Sequence, residues 1–176
     1  MTKAPPPSRP SPPRFTLRPA RPDDHDPLIA LVSRAGVFAP EEESCAAELI
    51  ELALKDPART GDYRILVAAP DGVAGPAVLA GYICYGPTPM TQGTWDLYWL
   101  ATAPDFQRQG VARSLCAAME DEVRSLGGYL IRVETSSTEG YGSAQSFYER
   151  SGYPLACRIP DFYKTGDDLL LMFKRL

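Results

Sequence analysis

Gln107-Arg108-Gln109-Gly110-Val111-Ala112 is the stretch that decides the fold, because it lies between a strand-like run and a strongly periodic helix. The run before it, from Trp95 to Thr102, is rich in the aromatic residues that favour strands. The helix after it is predicted from apolar residues three or four positions apart, at Val111, Leu115, Met119, Val123 and Leu126. A turn that enters a helix presents unpaired N–H groups at the positive end of the helix dipole. The stretch is therefore predicted to bind a phosphate group.

The six residues exclude two familiar phosphate motifs. No Gly-Lys-Ser/Thr follows them, so they are not a Walker loop, and the triple-glycine dinucleotide pattern is also absent. Gly110 would let a backbone approach closely, and Ala112 keeps the helix entrance narrow. Without further context, an ordinary strand-to-helix turn closed by glycine is the better interpretation.

A second segment, Phe147-Tyr148-Glu149-Arg150-Ser151-Gly152-Tyr153, supplies that context. It follows another strand-like run, Tyr129 to Thr135. Together the segments resemble the GNAT superfamily of acyl-CoA-dependent N-acyltransferases. The first is similar to the family's Q/R-x-x-G-x-G/A pyrophosphate loop. The second is similar to its A-x-x-x-Y-x-x-x-G-[FY] segment, at Ala144, Tyr148, Gly152 and Tyr153.

The resemblance implies a three-layer α/β fold whose central mixed, mostly antiparallel sheet has about six or seven strands, with helices on both faces. The sequence itself predicts strands at 15–18, 63–69, 78–85, 95–102, 129–135, 155–159 and 169–173. It predicts helices at 22–35, from 40 onward, at 111–126 and at 143–151. The strand–helix–strand unit around residues 95–135 implies one parallel pair of strands.

The resemblance also implies a site for acetyl-CoA as acyl donor. Main-chain groups of Leu100 and Thr102 are expected to pair with the pantetheine arm. N–H groups from Arg108 to Arg113 are expected to hold the pyrophosphate, and the Arg108 and Arg113 side chains are either phosphate contacts or solvated. The full predicted set of donor-binding residues is Leu100, Thr102, Gln107, Arg108, Gln109, Gly110, Val111, Ala112, Arg113, Ser143 and Tyr148.

Three residues are candidates for catalysis. By resemblance, Tyr148 is the general acid that protonates the departing sulfur; the alternative is a packed aromatic ring with a hydrogen-bonded hydroxyl. Asp96 and Glu134 compete for the role of general base, and either could instead cap a turn or pair with an arginine. Strand alternation predicts that Asp96, Tyr98, Leu100 and Thr102 share one face.

Two further segments bear on the substrates. Many members of the family carry Asn where this chain has Tyr141, so Ser143 or Ser146 is expected to make that contact instead. Residues 160–168 are predicted to form a polar-aromatic loop between the last strands. Its carboxylates, Asp161, Asp167 and Asp168, either attract an ammonium group or belong to a solvated hairpin.

Composition limits the remaining possibilities. A chain of 176 residues forms one domain, predicted at 15–176, after a disordered Pro-rich tail at 1–14. A net charge of −4 argues against a nucleic-acid partner, and no apolar stretch suits a membrane. The four dispersed cysteines and single histidine, His25, have no metal-ligand spacing. Cys84 and Cys116 fall in apolar patterns, which indicates buried, reduced thiols in a cytoplasmic protein.

The sequence therefore predicts an N-acetyltransferase that moves an acetyl group from acetyl-CoA to a primary amine of a small molecule or peptide by direct attack in a ternary complex. The alternative is a catalytically weak acyl-CoA-binding sensor or interaction module. The acceptor stays open among amino acids, polyamines, antibiotics, other small amines and protein amines. The exposed aromatic residues of the last loop are expected to form either a homodimer contact or part of the acceptor pocket.

Overall fold

The computed structural model describes residues 15–56, 58–72 and 78–176, and the predicted tail at 1–14 lies outside these ranges. Within them, seven strands form one sheet in the order β1-β2-β3-β4-β5-β7-β6. Only β4 and β5 pair in parallel among these strands, as the strand–helix–strand unit predicts. The strands are β1 (Phe15–Pro19), β2 (Arg64–Pro70), β3 (Gly81–Pro87), β4 (Thr94–Thr102), β5 (Leu130–Ser136), β6 (Leu155–Lys164) and β7 (Asp167–Arg175).

Four α-helices in the described ranges cover both faces of the sheet: α1 (His25–Ala35), α2 (Pro40–Lys55), α3 (Val111–Ser125) and α4 (Gly142–Arg150). Leu28 of α1 and Ile50 of α2 are buried in one core, against Val67 of β2. Met119 of α3 and Tyr148 of α4 are buried in the other core. The predicted three-layer α/β fold with a mixed, mostly antiparallel sheet is confirmed.

Local sequence signals set the helix ends. Pro40 occupies the first position of α2, where its missing N–H costs nothing. The Glu42 carboxylate accepts a hydrogen bond from the Ala39 N–H at 2.7 Å, which satisfies a free donor at the same end. Helix α1 ends at Gly36, whose φ of 68° suits glycine. These signals define the end of α1 and the acidic start of α2.

The sheet opens between β4 and β5. The two strands pair from Thr94↔Leu130 only as far as Leu97↔Val133. Beyond that point β4 continues against β3, and β5 continues against β7, to Ser136. The second half of β4 therefore borders a gap in the centre of the sheet.

A β-bulge at Tyr98 makes the predicted strand alternation wrong. Cys84 of β3 pairs with Trp99, whereas Tyr85 pairs with Leu97, so Tyr98 is the extra residue on β4. The Tyr98 hydroxyl donates to Asp96 on one face of the sheet, whereas Leu100 packs against the core on the other face. An inserted residue reverses the side-chain alternation that follows it. Asp96 and Tyr98 therefore do not share a face with Leu100.

Two predicted boundaries also need correction. Strand β3 begins at Gly81, not at residue 78. The predicted loop at 160–168 is largely strand, because β6 runs to Lys164 and pairs with β7 again at Lys164↔Asp167. The register shifts between Ile159 and Lys164, where Asp161 has a φ of 53°. This irregularity accommodates Pro160, which has no N–H for the ladder.

Candidate active site

A cavity of about 800 Å³ occupies the gap in the sheet. Its walls come from α2, from both sides of the opening between β4 and β5, from α4, and from the β6–β7 hairpin. The helices α2 and α4 lie on opposite faces of the sheet. The cavity therefore connects the two faces, and groups from both can reach its centre.

The main chain of β4 is open to the gap at two predicted positions. The Ala103 N–H donates to the Ala80 carbonyl at 2.9 Å, so Ala103 directs its main-chain groups toward the β3 side. Main-chain groups of alternate residues in a strand point to the same side, so the N–H and C=O of Ala101 also point toward β3. The N–H and C=O of Leu100 and Thr102 therefore point away from β3, into the gap. The predicted pantetheine contacts are available for pairing.

The predicted phosphate loop forms an exposed turn into α3. Gly110 caps the helix with a φ of 85°, and Arg108 also has a positive φ, of 59°. The Gln109 side chain donates to the Asp105 carbonyl at 2.8 Å, which holds the turn. A β-carbon at Gly110 would meet no atom within 4 Å, so the space before the helix is open. The N–H groups of the first helical turn, from Val111 through Arg113, face that space without intrahelical partners.

The remaining predicted loop residues are placed as follows. Gln107, Arg108 and Arg113 are exposed, and Ala112 is half-buried. Val111 is buried in the core, so it contributes its N–H and not its side chain. Ser143 is exposed at the start of α4, whereas its neighbour Ala144 lines the cavity.

Tyr148 lies in the wall of the cavity, on α4. Only 6% of its surface is exposed, and its ring packs edge-on against Phe147 and Tyr153. Burial, with a smaller contribution from Cys116, raises the pKa of Tyr148. The phenol therefore keeps its proton at neutral pH and above, as a general acid must.

Asp96 and Glu134 meet on the opposite face of the sheet, joined by a residue that the sequence did not single out. The Arg132 Nε donates a short hydrogen bond to Asp96, and its Nη1 donates to Glu134 at 3.1 Å. The Tyr98 hydroxyl donates to the second oxygen of Asp96 at 3.4 Å. Both carboxylates thus make the arginine pairing that was the alternative to catalysis. Arg132 lies between the apolar residues Ile131 and Val133 of β5. In the sequence this pattern is typical of an ordinary solvent-facing strand position.

The α2 side of the cavity is acidic and aromatic. The hydroxyl of Tyr141, the residue that replaces the family's Asn, donates to Glu42 at 2.5 Å and so links the α4 side to α2. Burial, and then the negative charges of Glu134, Asp167 and Glu42, raises the pKa of Tyr163. Glu42, Glu134 and Asp167 line the same cavity as Tyr163.

The hairpin carboxylates have different surroundings. Asp167 lines the cavity and accepts a hydrogen bond from the Ser136 hydroxyl at 2.6 Å. Asp168 binds the Arg158 side chain and the Asp161 N–H, and Asp161 accepts from the Gly166 N–H at 2.6 Å. Asp161 and Asp168 therefore hold the hairpin together, and of the three only Asp167 faces the cavity.

Comparison with known proteins identifies the class. The sequence model described as the acetyltransferase (GNAT) family matches residues 29–153. A crystal structure assigned to the GNAT family of acetyltransferases, from Desulfovibrio desulfuricans, is 37% identical and has a TM-score of 0.82; the match covers 92% of this chain and 99% of that one. No curated protein matches the chain in sequence.

More distant solved structures share the fold. The ribosomal-protein-S18-alanine N-acetyltransferase from Escherichia coli is 20% identical with a TM-score of 0.70, covering 92% of this chain and 94% of that one. The N-acetyltransferase PaiA from Thermoplasma acidophilum, solved in complex with coenzyme A, is 18% identical with a TM-score of 0.67. The match covers 93% of this chain and 99% of that one.

The chain belongs to the acetyltransferase (GNAT) family. It is therefore an acyltransferase whose acyl donor is acetyl-CoA. The site fits that donor, since the open main chain of Leu100 and Thr102 and the open space at Gly110 suit an extended arm that ends in phosphates.

The described ranges contain neither a membrane-spanning helix nor a cluster of metal ligands. None of their helices is long and apolar enough to cross a membrane. Nor do they bring together three or more His, Cys, Asp or Glu side chains in an arrangement that could hold a metal ion.

Proposed function

We propose that this chain transfers an acetyl group from acetyl-CoA to a primary amine of a small molecule or peptide, by direct attack in a ternary complex. The observation that carries the proposal is the cavity through the sheet, with Tyr148 on one face and the Asp96–Arg132–Glu134 group on the other. This arrangement supports approach of the donor and the acceptor from different sides.

The charge of the cavity supports a cationic acceptor. Of the described residues that line it, five are carboxylates and two are cations: Glu41, Glu42, Asp96, Glu134 and Asp167 against Arg132 and Lys164. A primary amine with a pKa of about 10.4 is almost entirely an ammonium ion at neutral pH. A net negative cavity concentrates that ion near the reacting centre.

Each candidate group has one task in the reaction. Acetyl-CoA supplies the acyl group in an activated form, as a thioester. The β4 main chain at Leu100 and Thr102 orients the donor, and the N–H groups from Arg108 to Arg113 bind its phosphates. Asp96 or Glu134 takes the proton that the ammonium must lose before it can attack. The Tyr148 hydroxyl holds the proton that the departing sulfur needs.

Two finer features of the proposal have separate support. Strand β6 is exposed along its whole length and carries the large apolar side chains of Leu155, Ile159, Phe162 and Tyr163 on its surface, which supports a homodimer. The free, buried thiols of Cys84 and Cys116 support a reducing location such as the cytoplasm.

Calorimetric titration of acetyl-CoA and of CoA tests the donor site directly. Gly110→Arg fills the open space before α3, and we expect it to abolish saturable binding. Gly127→Arg is a matched control, because Gly127 lies just beyond the other end of α3, has a φ of 80°, and also has open space around it. Equal loss of binding in both variants would contradict the assigned phosphate site.

Thiol release then tests the acceptor. A panel of spermidine, kanamycin and a short peptide with a free N terminus and one lysine covers three kinds of primary amine. Transfer to one of them, with an amide product seen by mass spectrometry, supports the proposal. Tight CoA binding without transfer to any of these amines would contradict it and favour a sensor or interaction module.

A further inference from the structure

Arg132 is the centre of the polar group on the acceptor face. One guanidinium holds both candidate bases, through Nε to Asp96 and through Nη1 to Glu134 at 3.1 Å. The hydrogen bond to Asp96, together with the charges of Asp96 and Glu134, raises the pKa of Arg132, so it stays a cation at every working pH. The two carboxylates are therefore bound to a permanent charge, but they are not bound alike.

Both oxygens of Asp96 already accept a hydrogen bond. One oxygen accepts from Arg132, and the other accepts from the Tyr98 hydroxyl at 3.4 Å. The Asp96 side chain is only 7% exposed. A general base must lie within hydrogen-bond reach of the proton that it takes, directly or through one water. Asp96 is buried and already bonded at both oxygens, so it is the less accessible of the two carboxylates.

Glu134 has an oxygen available. Its Oε1 accepts from Arg132, and none of the described residues donates to its Oε2. The Glu134 side chain is 43% exposed and lines the cavity, so water and substrate can reach it. An exposed carboxylate can also release the captured proton to solvent, which a base must do in each turnover.

We propose that Arg132 is a positioning residue that divides the work between the two carboxylates. It holds Asp96 in place beneath the acceptor site, and it orients Glu134 so that Oε2 takes the proton. This inference rests on the proposed transfer to an amine. One N–H bond of the ammonium breaks, its electron pair stays on nitrogen, and the proton moves to Oε2 directly or through one water, and then to solvent.

The first test compares Glu134→Gln with Asp96→Asn, using the amine of the panel that the wild type acetylates. We measure kcat/KM from pH 6 to pH 10. Glu134→Gln should lose about 10²-fold at pH 7. The deficit should shrink toward pH 10, because a much larger fraction of the amine is then neutral. The charged and titratable groups around Glu134, which shape any such profile, include Arg132, Asp96, Tyr163, Lys164, Asp167 and Glu42.

Asp96→Asn should instead raise KM for the amine and leave the shape of the pH profile unchanged. Retained CoA binding and a cooperative thermal transition show that each variant is folded. A Glu134→Gln enzyme with wild-type activity at pH 7 would overturn the assignment. So would an Asp96→Asn enzyme whose deficit disappears at pH 10.

The second test is a double-mutant cycle between Arg132 and Glu134. If Arg132 acts through Glu134, Arg132→Met combined with Glu134→Gln should be little worse than Glu134→Gln alone. Losses that multiply would show that Arg132 has a merely structural role. If Arg132→Met does not fold, Arg132→Lys replaces it, because one ammonium keeps the charge but cannot hold both carboxylates as the planar guanidinium does. Arg132→Lys should lower kcat more than it raises KM.

The two proposals fail differently. Absence of transfer to every amine of the panel, with CoA binding intact, contradicts the proposed function, and the role of Arg132 is overturned with it. Transfer that Glu134→Gln leaves intact contradicts only the division of labour.

Discussion

A single hydroxyl, that of Tyr148, carries the acid half of the proposed chemistry. Tyr148→Phe removes that hydroxyl and keeps the ring that packs between Phe147 and Tyr153. We expect kcat to fall by about 10²-fold, with little change in the affinity for CoA. Steady-state thiol release and calorimetry measure the two quantities. Unchanged turnover in a folded variant would show that Tyr148 is a packing residue.

The pH dependence of kcat follows from the direction in which the pKa of Tyr148 is shifted. An acid works only while it is protonated, and burial raises the pKa of Tyr148 above its ordinary value of about 10. The protonated form therefore persists at every pH below that raised value. We expect kcat of the wild type to show no alkaline decline up to about pH 10. A decline near pH 8 that Tyr148→Phe abolishes would contradict the assignment.

At the scale of elements, α3 is tied to β7 by a partly buried ion pair. Lys174 donates to Glu120 at 2.7 Å, and the Tyr153 hydroxyl donates to the same carboxylate at 3.0 Å. Lys174→Met would leave the carboxylate, 10% exposed, with only the longer ion pair to Arg124, at 3.9 Å. We expect the free energy of unfolding in urea to fall by about 2 kcal/mol.

Removing both charges tests the cause of that loss. Because Glu120→Gln leaves no charge to compensate, the double variant with Lys174→Met should recover most of the lost stability. An equal or larger loss in the double variant would show that packing of the Lys174 stem, and not the unpaired charge, is responsible.

At the scale of the whole molecule, the exposed strand β6 bears on the oligomeric state. If a second copy covers it, Ile159→Glu should convert a dimer into a monomer, because it places a charge among the apolar side chains of the strand. Met90→Glu is the control, since Met90 is a fully exposed apolar residue on the loop between β3 and β4. Sedimentation equilibrium measures the mass. A monomeric wild type would contradict the proposed dimer.

Sequence reasoning reached the fold because its signals are local and ordered along the chain. The turn at 107–112 enters a helix at Val111, and the Tyr148 segment lies on the last helix, as predicted. The strand–helix–strand unit predicted the parallel pair correctly. These features depend on periodicity and capping, which neighbouring residues determine.

What the sequence missed depends on contacts between distant strands. Strict alternation could not anticipate the extra residue at Tyr98, because the bulge appears only in the pairing with β3. Arg132 was passed over because its two partners lie on different strands. Once β4 and β5 are known to be parallel with Asp96 opposite Arg132, the ion pair follows from the register. The prediction of a loop at 160–168 was wrong because β6, although irregular, pairs with β7 again at Lys164↔Asp167.

The gap between β4 and β5 has a consequence for amide hydrogen exchange. The middle of a sheet normally holds the slowest-exchanging amides of a protein. Here β4 is the fourth of the seven strands in the sheet order, yet its Leu100 and Thr102 N–H groups have no strand to pair with. Deuterium should enter these two positions early and be excluded once an extended ligand occupies the gap. Uptake at residues 98–102 would thus report occupancy without any turnover, whichever acceptor the enzyme acetylates.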